Sequence, residues 1–237
     1  AYEHFIDYLK TKTNCTVLRH PQAEADDLIA MWTQEHPQDD HVIVSTDSDF
    51  YQLVIENVSQ YNGVTDQIVR HDGIFEAKTM KRAIDKKTQE PKPIPDPKWL
   101  LFEKCVRGDT SDNIFSAFPG ARKKGSKNKT GMQEAFADME RGGFDFNNFM
   151  LQRWVDHNDE EHRVIDDYER NKILIDLTLQ PDEIKDGVRE VFSESVDKDK
   201  VANVGIHFMK FCNKWNMPKL TDAATEFGEI LNACQKQ

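Results

Sequence analysis

Two regimes of apolar patterning divide the chain. In the first, short apolar runs alternate with polar turns. Phe5, Ile6, Tyr8 and Leu9 read as the end of a helix, and Thr16-Val17-Leu18 as a short strand. Acids at Glu24, Asp26 and Asp27 then precede Leu28, Ile29, Met31 and Trp32, which marks a helix start. His41-Val42-Ile43-Val44-Ser45 is continuously apolar at its centre, as in a buried parallel strand. Thr46-Asp47-Ser48-Asp49 caps a further helix with Phe50, Leu53 and Val54 on its apolar side. Strand, acidic turn and helix, used twice, predicts an α/β fold with a parallel, doubly wound sheet.

Asn62-Gly63 and Asp72-Gly73 are hairpin turn signals around Gln67-Ile68-Val69. Residues 77–98, rich in Lys and Pro, read as a linker or extended surface loop. Beyond them the spacing is helical to the end, with Val164, Ile165, Tyr168 and Ile175, then Val201, Val204, Phe208, Phe211, Cys212 and Trp215 recurring on one face. The expected divisions are 1–98, an α/β core; 99–150, a region bearing a basic segment; and 151–237, a helical region.

At 237 residues the chain is long enough for a sizeable core. Charged residues make up 31% and hydrophobic residues 38%, while 10% aromatics argue against disorder. No apolar run approaches a membrane span, and the first residues carry no signal-peptide pattern, so the expected setting is cytoplasmic without membrane contact. Ala1 stands where an initiator Met is expected, which suggests a chain beginning inside a longer protein. Cys15, Cys105, Cys212 and Cys234 lie far apart without a C-x-x-C pair, so free thiols are expected. The eight His residues show no metal-ligand spacing and read as surface or packed side chains. With 42 acidic and 31 basic residues the net charge is −11, which leaves room for a local basic patch on an acidic body.

Candidate chemistry lies in three acidic clusters: Glu24-Ala25-Asp26-Asp27, Asp47-Ser48-Asp49, and Gly108-Asp109-Thr110-Ser111-Asp112-Asn113. Each alone is explained by helix capping or turn composition. Together they say more. The first two sit where predicted strands give way to helices, the edge at which parallel sheets build sites. Converging carboxylates repel unless a cation relieves them, and hard oxygen ligands suit Mg²⁺. Two ions about 4 Å apart would stabilise both oxygens of a phosphodiester displacement, which predicts a nuclease. An EF-hand beginning at Asp47 fails, because Gln52 and Val58 occupy the places that need Gly and Glu.

From Asn113 to Gln133 there is no acid, and the window holds Arg122, Lys123, Lys124, Lys127 and Lys129 with Gly120, Gly125 and Gly131. A solvated loop explains such a run. Its position directly after an acidic cluster in a negative protein favours phosphate binding, with glycine N–H groups approaching the backbone of a duplex. A second stretch, Lys78, Lys81, Arg82, Lys86 and Lys87, reads equally well as a solvated helix face.

Ala23-Glu24-Ala25-Asp26-Asp27-Leu28-Ile29-Ala30, Val44-Ser45-Thr46-Asp47-Ser48-Asp49-Phe50-Tyr51-Gln52-Leu53 and Val106-Arg107-Gly108-Asp109-Thr110-Ser111-Asp112-Asn113 resemble, in order and spacing, motifs of the 5′ nuclease family. That family includes flap endonucleases, the 5′–3′ exonuclease domain of bacterial polymerase I, and phage 5′ exonucleases and ribonucleases H. The resemblance covers about residues 15–135 and looks most like a stand-alone phage enzyme. It implies a PIN-like α/β core, of which residues 1–98 are the C-terminal part, and a helix–three-turn–helix gripping duplex DNA within 99–150. It implies Glu24 and Asp26 at a first Mg²⁺, Asp26 near or between both ions, and Asp47, Asp49 and Asp109 at a second. Asp27 and Asp112 would be outer-shell acids, and Mn²⁺ would substitute for Mg²⁺. Gly120, Arg122, Lys123, Lys124, Gly125, Lys127 and Lys129 would bind DNA, with K⁺ as a further ion at the hairpin.

The implied substrates are duplex DNA with a 5′ flap, nick or end, and RNA–DNA hybrids. The implied role is primer or flap removal in replication beside replisome proteins, in the host cytoplasm for a phage enzyme. Two departures stand out. The family's hairpin has two glycines one residue apart, whereas Gly120 and Gly125 here are separated by Ala-Arg-Lys-Lys. Nothing before Glu24 matches the family's first strand with its Asp, its further acid, or its helical arch, so this chain alone is expected to be a poor nuclease. Two alternatives stay open: a PIN-type endoribonuclease, which needs the acids but no basic hairpin, and a non-catalytic duplex-binding module with structural acids.

Overall fold

The computed structural model describes residues 2–196 and 199–233. They fall into two compact units, Ala1–Leu28 with Pro181–Gln237, and Ile29–Gln180. Among the described residues no helix is long and apolar enough to cross a membrane.

The second unit holds a four-stranded sheet in the order β1 (His41–Val44), β2 (Val58–Asn62), β3 (Gln67–Arg70), β4 (Gly73–Glu76). β1 and β2 are parallel, with His41 opposite Val58 and Val44 opposite Tyr61; β2, β3 and β4 form an antiparallel meander. The α/β character and both hairpin turns stand as expected. The sheet is mixed, because turns this short can return a strand only antiparallel. Among the described residues β1 lies at the sheet's edge, burying Ile43 and leaving Val42 and Val44 exposed, which differs from the buried strand that its apolar run predicts. Thr16-Val17-Leu18 is irregular, not a strand.

A 3₁₀ helix, Ser48–Leu53, carries the chain from β1 towards β2. Asp47 is its N-cap, its Oδ1 accepting the Asp49 N–H at 2.9 Å. Phe50 and Leu53 bury against Ala30, Ile43 and Val58, which fixes the acidic turn to the sheet. Residues 77–96 are extended and irregular, as a linker reading predicts. They are not a helix face: Ala83 N–H donates to Ile74 O and Lys92 N–H to Ala83 O, so Lys81 and Arg82 run beside β4. Arg82 lies over the Phe75 ring at 5.0 Å.

Asp96 and Pro97 then start α3 (Pro97–Arg107), with Asp96 accepting the Lys98 and Trp99 N–H groups. α3 packs with α4 (Met132–Arg141), α5 (Phe144–Met150) and α6 (Val164–Ile175) around Phe102, Val106, Met132, Phe136, Phe149 and Tyr168. A hairpin of β5 (Arg153–Val155) and β6 (Glu161–Arg163) interrupts the expected run of helices. Its strands are only three residues long, too short for a period-two signal.

The first unit contains α1 (Tyr2–Lys12), the beginning of α2 (Ala25–Glu35), α7 (Asp182–Val196), α8 (Val204–Lys214), α9 (Pro218–Asp222) and α10 (Ala224–Ala233). Tyr8, Phe208, Cys212 and Ala224 form its core, and the Tyr8 and Phe211 rings stack at 4.3 Å. Buried Asn14 ties both ends of the sequence together: its Oδ1 accepts the Val201 N–H at 2.8 Å, and its Nδ2 donates to Asn232 O at 3.0 Å. Cys15, Cys105 and Cys212 are free thiols; Cys234 lies outside the described residues.

Candidate metal centre and basic loop

The third acidic cluster begins where α3 ends. Gly108 closes the helix with φ 73° and ψ −179°, a conformation essentially restricted to glycine. A Cβ there would meet Ile114 O at 2.4 Å and Phe115 C at 2.6 Å. The tight turn that follows is closed by paired bonds between Asp109 and Ile114, 2.9 and 2.7 Å. Asn171, fully buried on α6, donates to Cys105 O at 2.9 Å and Phe115 O at 2.7 Å, clamping both sides of this turn.

This turn and the 3₁₀ helix together bring ligand oxygens of Asp49, Asp109 and Asp112 within 4.8 Å of one another. Asp49 and Asp109 are partly buried and Asp112 is exposed. The family resemblance implies Asp47, Asp49 and Asp109 at one ion with Asp112 in the outer shell. In the structure Asp112 joins the set, while Asp47, exposed, gives one oxygen to capping. Gln60, fully buried on β2, holds that turn by donating to Ser45 O at 2.9 Å and Asp47 O at 2.7 Å.

A cation already sits among these acids. Lys104, on the last turn of α3, donates to Asp49 Oδ1 and, at 2.9 Å, to Asp109 Oδ2. Its side chain is 22% exposed, and those of Asp49 and Asp109 are 20% and 17% exposed. Asp109 Oδ1 accepts from both the N–H (3.0 Å) and the hydroxyl of Ser111. The Ser111 hydroxyl and then the Lys104 ammonium hold the Asp109 carboxyl down to about 2. Partial burial opposes the charge on Lys104, but its bonds to Asp49 and Asp109 raise it above the ordinary lysine value. Three carboxylates against one ammonium leave a net charge of −2, which suits one divalent cation. Lys104 escaped sequence reasoning because an isolated lysine on a helix reads as solvated; its spacing of one turn plus one residue before Asp109 was the only signal.

Glu24, Asp26 and Asp27 stand at the start of α2, in the first unit. Asp27 Oδ2 accepts the Glu24 N–H at 3.0 Å. Glu24 is exposed, and Asp26 and Asp27 are partly buried.

Between α3 and α4 the basic loop folds on its own backbone. Met132 and Gln133 N–H groups donate to Arg122 O and Lys123 O, both at 2.9 Å, and Ser126 pairs with Lys129. Gly125 packs against Gly131, where a Cβ would lie 2.2 Å from Gly125 N; Gly120 makes no such approach. The close glycine pair is therefore Gly125 with Gly131. Gly125 N–H donates to Glu134 at 2.9 Å, so it is spent within the loop. Arg122, Lys123, Lys124, Lys127 and Lys129 are all exposed, and among the described residues none forms an ion pair. Arg122, Lys124 and Lys129 border a cavity of about 330 Å³ that Phe118 and Gln152 also line.

A second acid-containing set, Asp156, Glu160 and His162, lies on the β5–β6 hairpin. His162 stacks on Trp154 at 4.4 Å, and its Nδ1 lies 3.0 Å from Asp167 Oδ2, the position of a packed histidine.

Residues 4–84 match the family model described as the 5′-3′ exonuclease, N-terminal resolvase-like domain. No curated protein sequence matches the chain. Similar solved structures include a mutant bacteriophage T5 5′-exonuclease, 17% identical, covering 73% of this chain and 66% of that one, with a TM-score of 0.41. Another is a bacteriophage T5 protein co-crystallised with metal ions, 17% identical, covering 72% and 60%, TM-score 0.41. A third is a bacteriophage T5 flap endonuclease pseudo-enzyme–product complex with DNA and metal ions, 16% identical, covering 73% and 60%, TM-score 0.41. The chain spans 60% to 66% of the length of these proteins.

Proposed function

We propose that the chain, whose residues 4–84 match the 5′-3′ exonuclease N-terminal, resolvase-like domain model, is part of a divalent-metal-dependent 5′ nuclease acting on duplex DNA. The observation that carries this reading is the gathering of Asp49, Asp109 and Asp112 from sequence-distant segments within 4.8 Å. Their donor set, carboxylate oxygens only, suits Mg²⁺, with Mn²⁺ as substitute, and the Lys104 ammonium already marks a place that favours positive charge. A bound divalent ion supplies a stabilised phosphodiester oxygen and a more acidic water. Asp49, Asp109 and Asp112 hold that ion, Asp47 caps the turn carrying Asp49, and Ser111 orients Asp109. In this reading Glu24 and Asp26 serve a further ion, with Asp27 as an outer-shell acid.

The basic loop binds the substrate. Its unpaired Arg122, Lys123, Lys124, Lys127 and Lys129 neutralise phosphates without reading sequence, and the Gly125–Gly131 approach shapes their backbone; K⁺ there would supply a further cation. A PIN-type endoribonuclease would need the acids but not this basic loop, and duplex dependence of cleavage separates the two readings. Flapped, nicked or ended DNA and RNA–DNA hybrids are the substrates proposed, with primer or flap removal beside replisome proteins as the role.

The test is Mg²⁺-dependent release from a 5′-labelled flap or nicked duplex by the full-length protein. Asp49→Asn and Asp112→Asn each lower turnover by about 100-fold or more, with duplex binding nearly unchanged. Near-normal turnover in both variants removes the assignment.

A further inference from the structure

We infer that Lys104 is a built-in counter-cation: it holds Asp49 and Asp109 together in the metal-free protein and is displaced from them when a divalent ion binds. This rests on the reading of Asp49, Asp109 and Asp112 as metal ligands. The geometry is specific. One ammonium spans two carboxylates that come from segments 55 and 5 residues away along the chain. Neither oxygen of Asp109 is idle, since Oδ2 takes Lys104 and Oδ1 takes Ser111 twice. A divalent ion approaching Asp109 therefore meets its free lone pair on Oδ2, the oxygen that already holds the Lys104 ammonium. The Ser111 bonds are local to the turn and leave with difficulty. The Lys104 bond ends a four-carbon stem with rotatable donors, so it is the one that yields.

Charge leads to the same conclusion. With Lys104 in place the set carries −2, and a divalent ion entering beside it would face an ammonium at contact distance. With Lys104 swung away the set carries −3 and holds the ion more tightly. Lys104 thus sets the affinity for metal: it stabilises the empty centre, which two partly buried carboxylates would otherwise drive apart, and it weakens binding of the ion by the free energy of its own two bonds. Divalent affinity is held in a range where the centre loads and empties, and a monovalent cation built into the fold replaces the metal in the interval.

Two measurements on the 237-residue chain test this. In the first, isothermal titration calorimetry follows Mn²⁺ binding to wild type, Lys104→Met, Lys104→Arg and Asp112→Asn, each checked by circular dichroism. Lys104→Met binds Mn²⁺ about tenfold more tightly, a gain of roughly 1.4 kcal/mol. Lys104→Arg, which keeps the charge, stays near wild type. Without metal, Lys104→Met melts at lower temperature than wild type, and Mn²⁺ raises its midpoint by more. Unchanged or weaker Mn²⁺ affinity in a folded Lys104→Met protein overturns the inference. Asp112, which Lys104 does not touch, separates this from the underlying reading: Asp112→Asn weakens Mn²⁺ binding in the wild-type and Lys104→Met backgrounds alike. Unchanged affinity in both backgrounds removes the metal centre itself, and the inference with it. The second measurement needs no variant. Amine acetylation of wild type, read by mass spectrometry, finds Lys104 protected in chelator and labelled several-fold faster in saturating Mg²⁺, relative to exposed Lys98. Equal labelling of Lys104 in both conditions overturns the displacement.

Discussion

Gly108 carries more of the centre than its lack of a side chain suggests. It ends α3 and turns the chain so that Asp109 faces Lys104 and Asp49, in a backbone region that essentially only glycine occupies. Gly108→Ala therefore destabilises the fold by about 1–3 kcal/mol from conformation alone, with the clash against Ile114 O adding to it. Urea denaturation measures this, and a change under about 0.5 kcal/mol would contradict the account. Cys105, fully buried one residue after Lys104, gives a second residue-level outcome. Burial first, and then the Asp176 carboxylate, push its thiol up to about 12. It stays protonated and unreactive in the native protein at pH 8, so iodoacetamide labels partly exposed Cys15 but not Cys105 until denaturant is added. The sign for stability follows from the raised value. The contribution of Cys105 is complete below the unfolded thiol's pKa near 9 and declines as pH rises from there towards 12. Acids were the legible residues, because three carboxylate-rich turns in one α/β protein are hard to explain singly. Lys104, Gln60 and Asn171 were not legible. Each works through hydrogen bonds to groups that are distant in sequence, and a lone polar residue in a periodic pattern carries no sign of such partners.

At the scale of elements, the hydrophobic pattern marked the helices and the two tight hairpin turns well, since 3.6-residue periodicity and Asn-Gly or Asp-Gly turns are local properties. It misjudged β1, where an apolar run reads the same on an edge strand as in a buried one. It also missed the β5–β6 hairpin, whose turn is built by Asp156 accepting the Asn158 and Glu160 N–H groups, both at 2.9 Å, without a glycine. That hairpin is anchored by Trp154, which donates Nε1–H to Ala117 O at 2.8 Å beside the basic loop. Trp154→Phe keeps most of the packing and removes the donor, leaving a buried carbonyl unpaired. The expected loss is about 1–3 kcal/mol, with faster amide exchange in residues 153–163. Denaturation and hydrogen exchange on the same variant check it; a neutral result would assign the anchoring to packing alone.

Over the whole molecule the charge distribution was readable in advance, because its contrast lies in runs of sequence: an acid-free basic window within a chain of net charge −11. The division into units was not, because Asn14 joins an early segment to Val201 and Asn232, pairings that no local pattern announces. The same contrast shapes how the protein meets a polyanion. On the proposed reading an acidic body repels DNA at long range and the basic loop attracts it, so binding is expected at that loop and should fall steeply with salt. Each phosphate contact contributes about 0.9 to the slope of log affinity against log salt, which makes the slope a count of contacts. Lys123→Ala with Lys124→Ala removes up to two of them, so the slope falls by about one to two units, and affinity drops by a similar factor for unrelated duplex sequences. Fluorescence anisotropy of two labelled duplexes of different sequence, titrated between about 50 and 200 mM salt, gives both numbers. Loss of affinity for one sequence only would mean base contacts, which exposed lysines on a backbone-closed loop do not make. An unchanged slope would move the phosphate contacts to the extended arm that carries Lys81, Arg82, Lys86 and Lys87. Duplicating the substitutions there distinguishes the two surfaces directly, since the surface that carries the proposed phosphate contacts is the one whose lysines set the salt slope.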